Sequence, residues 1–394
     1  MKKSIRAQGV SFLPEHLIAT DDGQWGLWRL FAVRAPGFPI AELLKLASPA
    51  CAVAADQILA AEESFSAKRT GGEGDVSLQR MALNDSWKHL REVFGEATIH
   101  TSQALYEVAR QERFQEAVIW QNRHVYHNSI GKLVAPPNGK TDLAYRNSQQ
   151  RRREEVVETY WQRYCAKNDS IGFFGPLGWG HFVSASEAIT VRPGAELLAR
   201  RRVYFEAWGI ETLARIVSSN PALRPWIAPQ RHPFIPAGAR QGHVPALGMV
   251  TFSEEEVTLL AQCDGQRVAR DIVAGILASS ATLSDAGSVY SLLEELASRG
   301  IISWTLRIPV TAHSEEVLRH LLERIEDEPL RLSALESLSE LETARNRVAL
   351  SAGHPLQLDA ALADFEAIFS RLTGIEPTRA AGRCSMRTAS GTCR

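Results

Sequence analysis

The residues best placed to do chemistry fall in one run, Tyr160 to Phe182, reading YWQRYCAKNDSIGFFGPLGWGHF. Tyr160, Arg163, Tyr164 and Lys167 are spaced i, i+3, i+4, i+7, which puts them on one helical face. Asn168, Asp169 and Ser170 stand at the junction with Gly172, Gly175, Gly178 and Gly180. Glycine backbone can take positive φ and let a ligand approach closely. Cationic side chains, aromatic rings and exposed backbone N–H groups together suit an anionic, partly aromatic ligand such as a nucleic-acid end. The plainer alternative, a helix C-terminus closed by an ordinary glycine-rich turn, uses the same residues and stays open here. Arg151, Arg152 and Arg153 lie in the first half of the same predicted helix, 148–167. Three adjacent residues span about 200° of helix, so at least one points away from any ligand.

Other elements must hold this run in place. Residues 25–34 (WGLWRLFAVR) read as an early strand, followed by the turn Ala35-Pro36-Gly37 and by helices over 40–66. The Gly-rich stretch 67–77 reads as a loop; it lacks the GK[ST] ending of a phosphate-binding loop. Helical periodicity covers 100–117, turn chemistry marks 135–142, and strands at 201–208 and 231–236 flank a helix at 209–218. The segment from Ile235 to Pro309 predicts a hairpin, helices at 254–262, 267–278 and 285–299, and a closing strand at 301–308, a winged-helix-like order. Ser253 followed by Glu256 has the spacing of a capping box. Helical faces continue through Leu318, Leu322 and Ile325, then Leu362, Phe365 and Phe369. The last sixteen residues hold four arginines, no acid and no apolar period, and read as disordered by composition. The expected class is α+β: mostly helical, with small antiparallel sheets and a winged-helix-like module.

Composition narrows the function classes. Net charge is −1, from 44 basic and 45 acidic residues, so the chain is no polycation. Charge is unevenly placed: residues 146–202 carry ten Lys/Arg against six Asp/Glu, and residues 315–345 carry four against nine. No run approaches the ~20 apolar residues of a spanning helix. The start, MKKSIRAQG, lacks the apolar core of a secretory signal, so a cytoplasmic location is expected. Five scattered cysteines without a CxxC pair predict reduced thiols, and no zinc pattern is present.

Three stretches together resemble the N-terminal region of the lantibiotic dehydratase family, the part that uses glutamyl-tRNA to modify a peptide. They are WRLFAVRAPGFPIAELLKL; FQEAVIWQNRHVYHNSIGKL with RNSQQRRREEVVETYWQRYCAKNDSIGFFGP; and FSRLTGIEPTRAAGR. No single piece would suffice, and the likeness covers only the front part of a full-length member. By position, Arg163 and Lys167 match family residues that engage the aminoacyl-tRNA end, with Lys167 standing where many members have arginine. Asp169, Ser170 and Ile171-Gly172 replace the threonine, proline and Phe-Gly of the family turn. That departure resembles a divergent branch in which an amino acid from tRNA extends the peptide, as in peptide aminoacyl-tRNA ligases.

The resemblance implies a domain plan of 1–230 (glutamylation-type), 231–309 (winged-helix-like peptide recognition), 310–378 (helical continuation) and 379–394 (disordered tail). Arg152, Arg153, Arg163, Lys167, Asn168 and Gly172 would contact tRNA. Met249, Val250, Thr251 and Phe252 would form the edge strand receiving a leader peptide, beside Tyr290 and Leu293. The implied reaction is acyl transfer from aminoacyl-tRNA to a precursor peptide of lanthipeptide or thiopeptide type. Aminoacyl-tRNA is the co-substrate, with no bound cofactor, and a separate elimination enzyme would follow. No general base is assigned. The abrupt change of composition at GRCSMRTASGTCR raises the expectation of an incomplete domain without assured turnover. A non-catalytic peptide-binding scaffold and a ligase fragment are the alternatives. A DNA-binding winged helix is the poorer fit, because Asp285, Glu294 and Glu295 face one Arg299 on its third helix.

Overall fold

The computed structural model describes residues 14–20, 22–67, 73–135, 146–167, 177–182, 202–244, 247–279, 283–379, 383–384 and 386–389. The chain is predominantly helical with small antiparallel two-stranded sheets. It divides into two compact units, 1–202 with 352–358 and 388–394, and 203–351 with 359–387.

In the first unit, β1 (Leu17–Ala19) pairs with β2 (Gly26–Trp28). β3 (Leu30–Arg34) pairs with β4 (Leu177–His181), far downstream. The single strand expected over 25–34 is therefore two, broken at Arg29, whose carbonyl accepts from Phe182 N–H (3.2 Å). Between them run α1 (Ile40–Leu44), α2 (Pro49–Ala67), α3 (Glu73–Arg110), α4 (Glu112–Gln121), α5 (Arg123–Val125), a π turn at Tyr126–Ile130, α6 (Gly131–Val134) and α7 (Ser148–Ala166). Helix α3 has 38 residues and packs along α2. The loop expected at 67–77 is thus shorter, since helix resumes at Glu73. A break at Gln111 divides the helix expected over 100–117.

The core of this unit is aromatic. Phe114, Trp161 and Tyr164 are buried, and Phe38 sits 4.8 Å from Trp161 and 6.1 Å from Tyr164 between ring centroids. Arg113 lies over the Phe38 ring at 4.9 Å, a cation–π contact that closes the cluster.

The second unit begins within β5 (Arg202–Phe205) and continues through α8 (Ala207–Ser218), a 3-10 turn at Pro221–Trp226, β6 (Gln230–Arg231), β7 (Gln241–Val244) and β8 (Gly248–Thr251). Then come α9 (Glu254–Gln262), α10 (Ala269–Ser279), α11 (Ala286–Ser298), β9 (Ile302–Ser303), α12 (Ser314–Glu323), α13 (Glu328–Leu350) and α14 (Pro355–Thr373), whose first turn, through Leu358, belongs to the first unit. Short strands β10 (Thr378–Arg379), β11 (Arg383–Cys384) and β12 (Met386–Ala389) follow. The strand expected at 301–308 shrinks to two residues. Trp304 turns inward, donating from Nε1 to the Ile227 carbonyl (3.1 Å), and Leu306 N–H goes to Ser218 Oγ (2.9 Å) instead of to a neighbouring strand. Leu318, Leu322, Ile325, Leu362, Phe365 and Phe369 are buried, as their spacing predicts, and Leu338 and Leu341 of α13 join them in the helical core.

Candidate functional site

Helix α7 carries the basic run, and its lower face explains why it is held firmly. Asn147 caps it, accepting from Gln150 N–H at 2.8 Å. Glu154 is buried, yet its carboxylate receives Ser102 Oγ (2.6 Å), Gln150 Nε2 (3.1 Å) and Arg146 Nε (2.9 Å). A buried carboxylate satisfied this way orients the helix without an uncompensated charge. Val157, Trp161, Tyr164 and Cys165 complete the inward face.

The outward face holds the cations. Arg152, Arg163 and Lys167 are exposed, and the side chains of Arg152 and Lys167 have no hydrogen-bond or ion-pair partner among the described residues. Arg152 and Arg163 are eleven residues apart, three helical turns, so they share a face about 16 Å apart. Arg153 is half-buried and its Nη1 donates to the Lys132 carbonyl at 3.5 Å, so it turns away from the other two. Arg151 is likewise spent locally, on the Arg146 carbonyl at 3.0 Å.

The rings expected beside these cations go elsewhere. Tyr164 is fully buried and its hydroxyl donates to Gln121 Oε1 (3.0 Å), so the four-residue face expected from spacing is split by the core. Burial pushes its phenol well above the usual range. Tyr160 is half-buried and stacks edge-on against Tyr164 at 5.8 Å; burial raises its phenol too, with Arg163 opposing. Asn168, Asp169, Ser170, Gly172 and Gly175 lie outside the described residues.

In the second unit, the β7–β8 hairpin pairs Gln241 with Thr251 and Val244 with Gly248, and β8 has no second partner strand among the described residues. Met249 and Thr251 are exposed and Val250 is half-buried along it. Phe252 and Leu293 are buried in the core, so they support the surface and cannot themselves touch a ligand. Tyr290 is partly open and stacks on Trp304, the rings 6.3 Å apart and within 8° of parallel. Helix α11 packs on α10 and β9.

A third cluster, His313, Glu315 and Glu316, brings one potential metal-ligand atom from each residue within 4.8 Å of the others. Arg345 Nη1 is already 2.7 Å from Glu315 Oε1, and the cluster opens helix α12, whose N-terminal dipole is positive. Both features oppose a cation there.

These features define a mostly helical protein with a cationic helix face in one unit and an open-edged hairpin in the other. Residues 110–389 match the family model described as lantibiotic dehydratase, N terminus, and the chain belongs to that family. Its fold is similar to the glutamylation domain TbtB from thiomuracin biosynthesis (TM-score 0.64, 12% identity, 93% of this chain and 49% of that one). The same domain bound to 5'-phosphodesmethylglutamycin gives a TM-score of 0.66 at 13% identity with the same coverage. It is also similar to the tRNA dependent lantibiotic dehydratase MibB from Microbispora sp. 107891 (TM-score 0.54, 15% identity, 75% of this chain and 28% of that one). The chain therefore spans less than half the length of each of these structures. At such identities the likeness is one of fold. No curated protein matches the sequence.

Proposed function

We infer that this chain binds the acceptor end of an aminoacyl-tRNA and a precursor peptide, as a glutamylation-type protein of ribosomal peptide natural-product biosynthesis. The observation that carries the reading is the exposed cationic face of α7, where the side chains of Arg152 and Lys167 have no partner among the described residues. Exposed cations spaced along a rigid helix suit phosphates, and Arg163 is exposed on the same helix. Arg153 acts indirectly in this reading, by holding α7 to the Lys132 carbonyl, while Asn168 and Gly172 would follow the helix end. Lys167 supplies a point charge where arginine would supply a bidentate fork.

The module spanning residues 231–309 is read as a winged-helix-like peptide binder. A leader segment would add as a strand to the open edge of β8, with Met249 and Thr251 offering side-chain contacts and Tyr290 and Val250 flanking them. In the transfer step a peptide hydroxyl attacks the aminoacyl ester carbonyl; the new ester bond forms and the tRNA terminal hydroxyl leaves with the proton. Holding both reactants in register supplies much of the rate. Glutamyl-tRNA is the co-substrate, the setting is the cytoplasm, and a separate elimination enzyme consumes the product.

Titration of the protein with tRNA at low and moderate salt tests the reading. Affinity is expected to fall steeply with salt, and Arg163→Ala and Arg152→Ala are each expected to reduce the log–log slope by about one. A salt-independent or absent interaction would leave the non-catalytic peptide-binding scaffold as the better account. A ligase-type branch would show itself by stable extension of the peptide in place of a transient ester.

A further inference from the structure

The β3–β4 ribbon presents large apolar side chains to solvent on both faces. Its register sets Phe31 opposite Gly180, Ala32 opposite Trp179 and Val33 opposite Gly178. On one face the Phe31 and Phe182 rings lie 4.9 Å apart, and Phe31 covers Gly180 so closely that a Cβ there would fall 2.5 Å from the ring. On the other face Trp179 is 63% exposed, with only the small Ala32 across from it. Trp28, just before β3, is 67% exposed and lies against His16 at 4.9 Å. The two strands contain Arg34 and His181 and no carboxylate, and Arg29 stands immediately before them.

The chain path brings this ribbon to the basic end of α7. Phe38, four residues beyond β3, donates its backbone N–H to the Tyr164 carbonyl at 3.2 Å, and β4 begins ten residues after Lys167. Arg29 Nε donates to the Glu15 backbone carbonyl at 2.7 Å; exposed aromatic faces beside cations, on strands that carry no carboxylate of their own, form the kind of surface on which single-stranded nucleic acids stack. Phosphates complement this charge, whereas a second copy would set one basic ribbon against another. A paired duplex offers no free base face.

We propose that the β3–β4 ribbon is a stacking platform for the unpaired 3′-terminal nucleotides of tRNA, with Trp179 and Trp28 taking base faces and Arg29 and Arg34 near the phosphates. This rests on the tRNA reading above and names where the acceptor end lies. It leaves α7 to hold the backbone behind that end.

The test compares intact tRNA, the same tRNA with its single-stranded 3′ nucleotides removed, and a short single-stranded RNA ending in CCA, each titrated against the full chain. Trimming is expected to weaken wild-type binding about a hundredfold, the scale of two lost base stacks. Trp179→Ala is expected to cost about tenfold on intact tRNA, the scale of one stack, and nothing further on trimmed tRNA, while Trp179→Phe keeps most of the affinity. Equal binding of intact and trimmed tRNA overturns the platform and leaves the tRNA reading standing. So does an equal loss on both from Trp179→Ala. A concentration-dependent dimer that Trp179→Ala dissociates, with tRNA binding unchanged, assigns the ribbon to a second copy and also overturns it. Ribbon-dependent binding of the short RNA without binding of tRNA keeps stacking but removes tRNA as the ligand. No binding of either removes both readings.

Discussion

Arg345 and Glu315 form an ion pair in which the carboxylate is almost wholly buried, at 2.7 Å from the guanidinium. The second Glu315 oxygen and the neighbouring Ser314 hydroxyl are buried without a hydrogen-bond partner among the described residues. Removing the cation would strand a buried charge. Arg345→Ala is therefore expected to lower unfolding stability by about 3–5 kcal/mol, read by urea denaturation. The cysteines give a second residue-scale expectation. Burial raises the Cys165 thiol to about 11 and the Cys263 thiol to about 12. Both should resist alkylation in the native protein at pH 8, where the thiolate fraction of Cys165 is about a thousandth. Because these folded-state values lie above the ordinary 9.0, the unfolded chain releases its protons first. Stability should be unaffected below pH 9 and decline from there through about 11 to 12, measured as a falling denaturation midpoint. That Cys51, Cys165 and Cys263 are free thiols was legible from their spacing; the depth of the last two was not, since only packing reveals it.

At the scale of elements, local signals worked where the cause is local. Ser253 accepts from Glu256 N–H at 3.1 Å and Glu256 Oε2 accepts from Ser253 N–H at 2.7 Å, the reciprocal box that the spacing predicts. Ser253→Ala is expected to cost about 1 kcal/mol in a thermal or urea melt. Gly242 answers to a non-local demand: a Cβ there would come within 2.9 Å of the Ile235 side chain, which is buried. Gly242→Ala should cost about 1–3 kcal/mol by overpacking. It should also disturb the β7–β8 hairpin, and on the proposed peptide-binding reading a direct titration with leader peptide should show weaker binding. Helix α7 shows the same division. Its extent follows from sequence, but the spacing argument could not see that Tyr164 faces Phe38 and Phe114. Nor could it choose among three consecutive arginines, which the structure separates into one open and two bonded to backbone carbonyls.

For the molecule as a whole, the small net charge says little and its distribution says more. With α11 carrying Glu294 and Glu295 and with Arg299 tied to Glu256 and Glu295, duplex DNA should show no mobility shift at the salt used for the tRNA titration. Among the described residues no helix is long and apolar enough to cross a membrane. The mostly helical class, the helix start of α9 and the family likeness were readable from sequence, because caps and apolar periods act over a few residues. The tertiary structure alone decided which cations remain open, which aromatic rings enter the core, and that Leu30–Arg34 pairs with Leu177–His181 across more than 140 positions. Side-chain availability depends on what distant segments cover, and a sequence period reports a face without saying what lies against it.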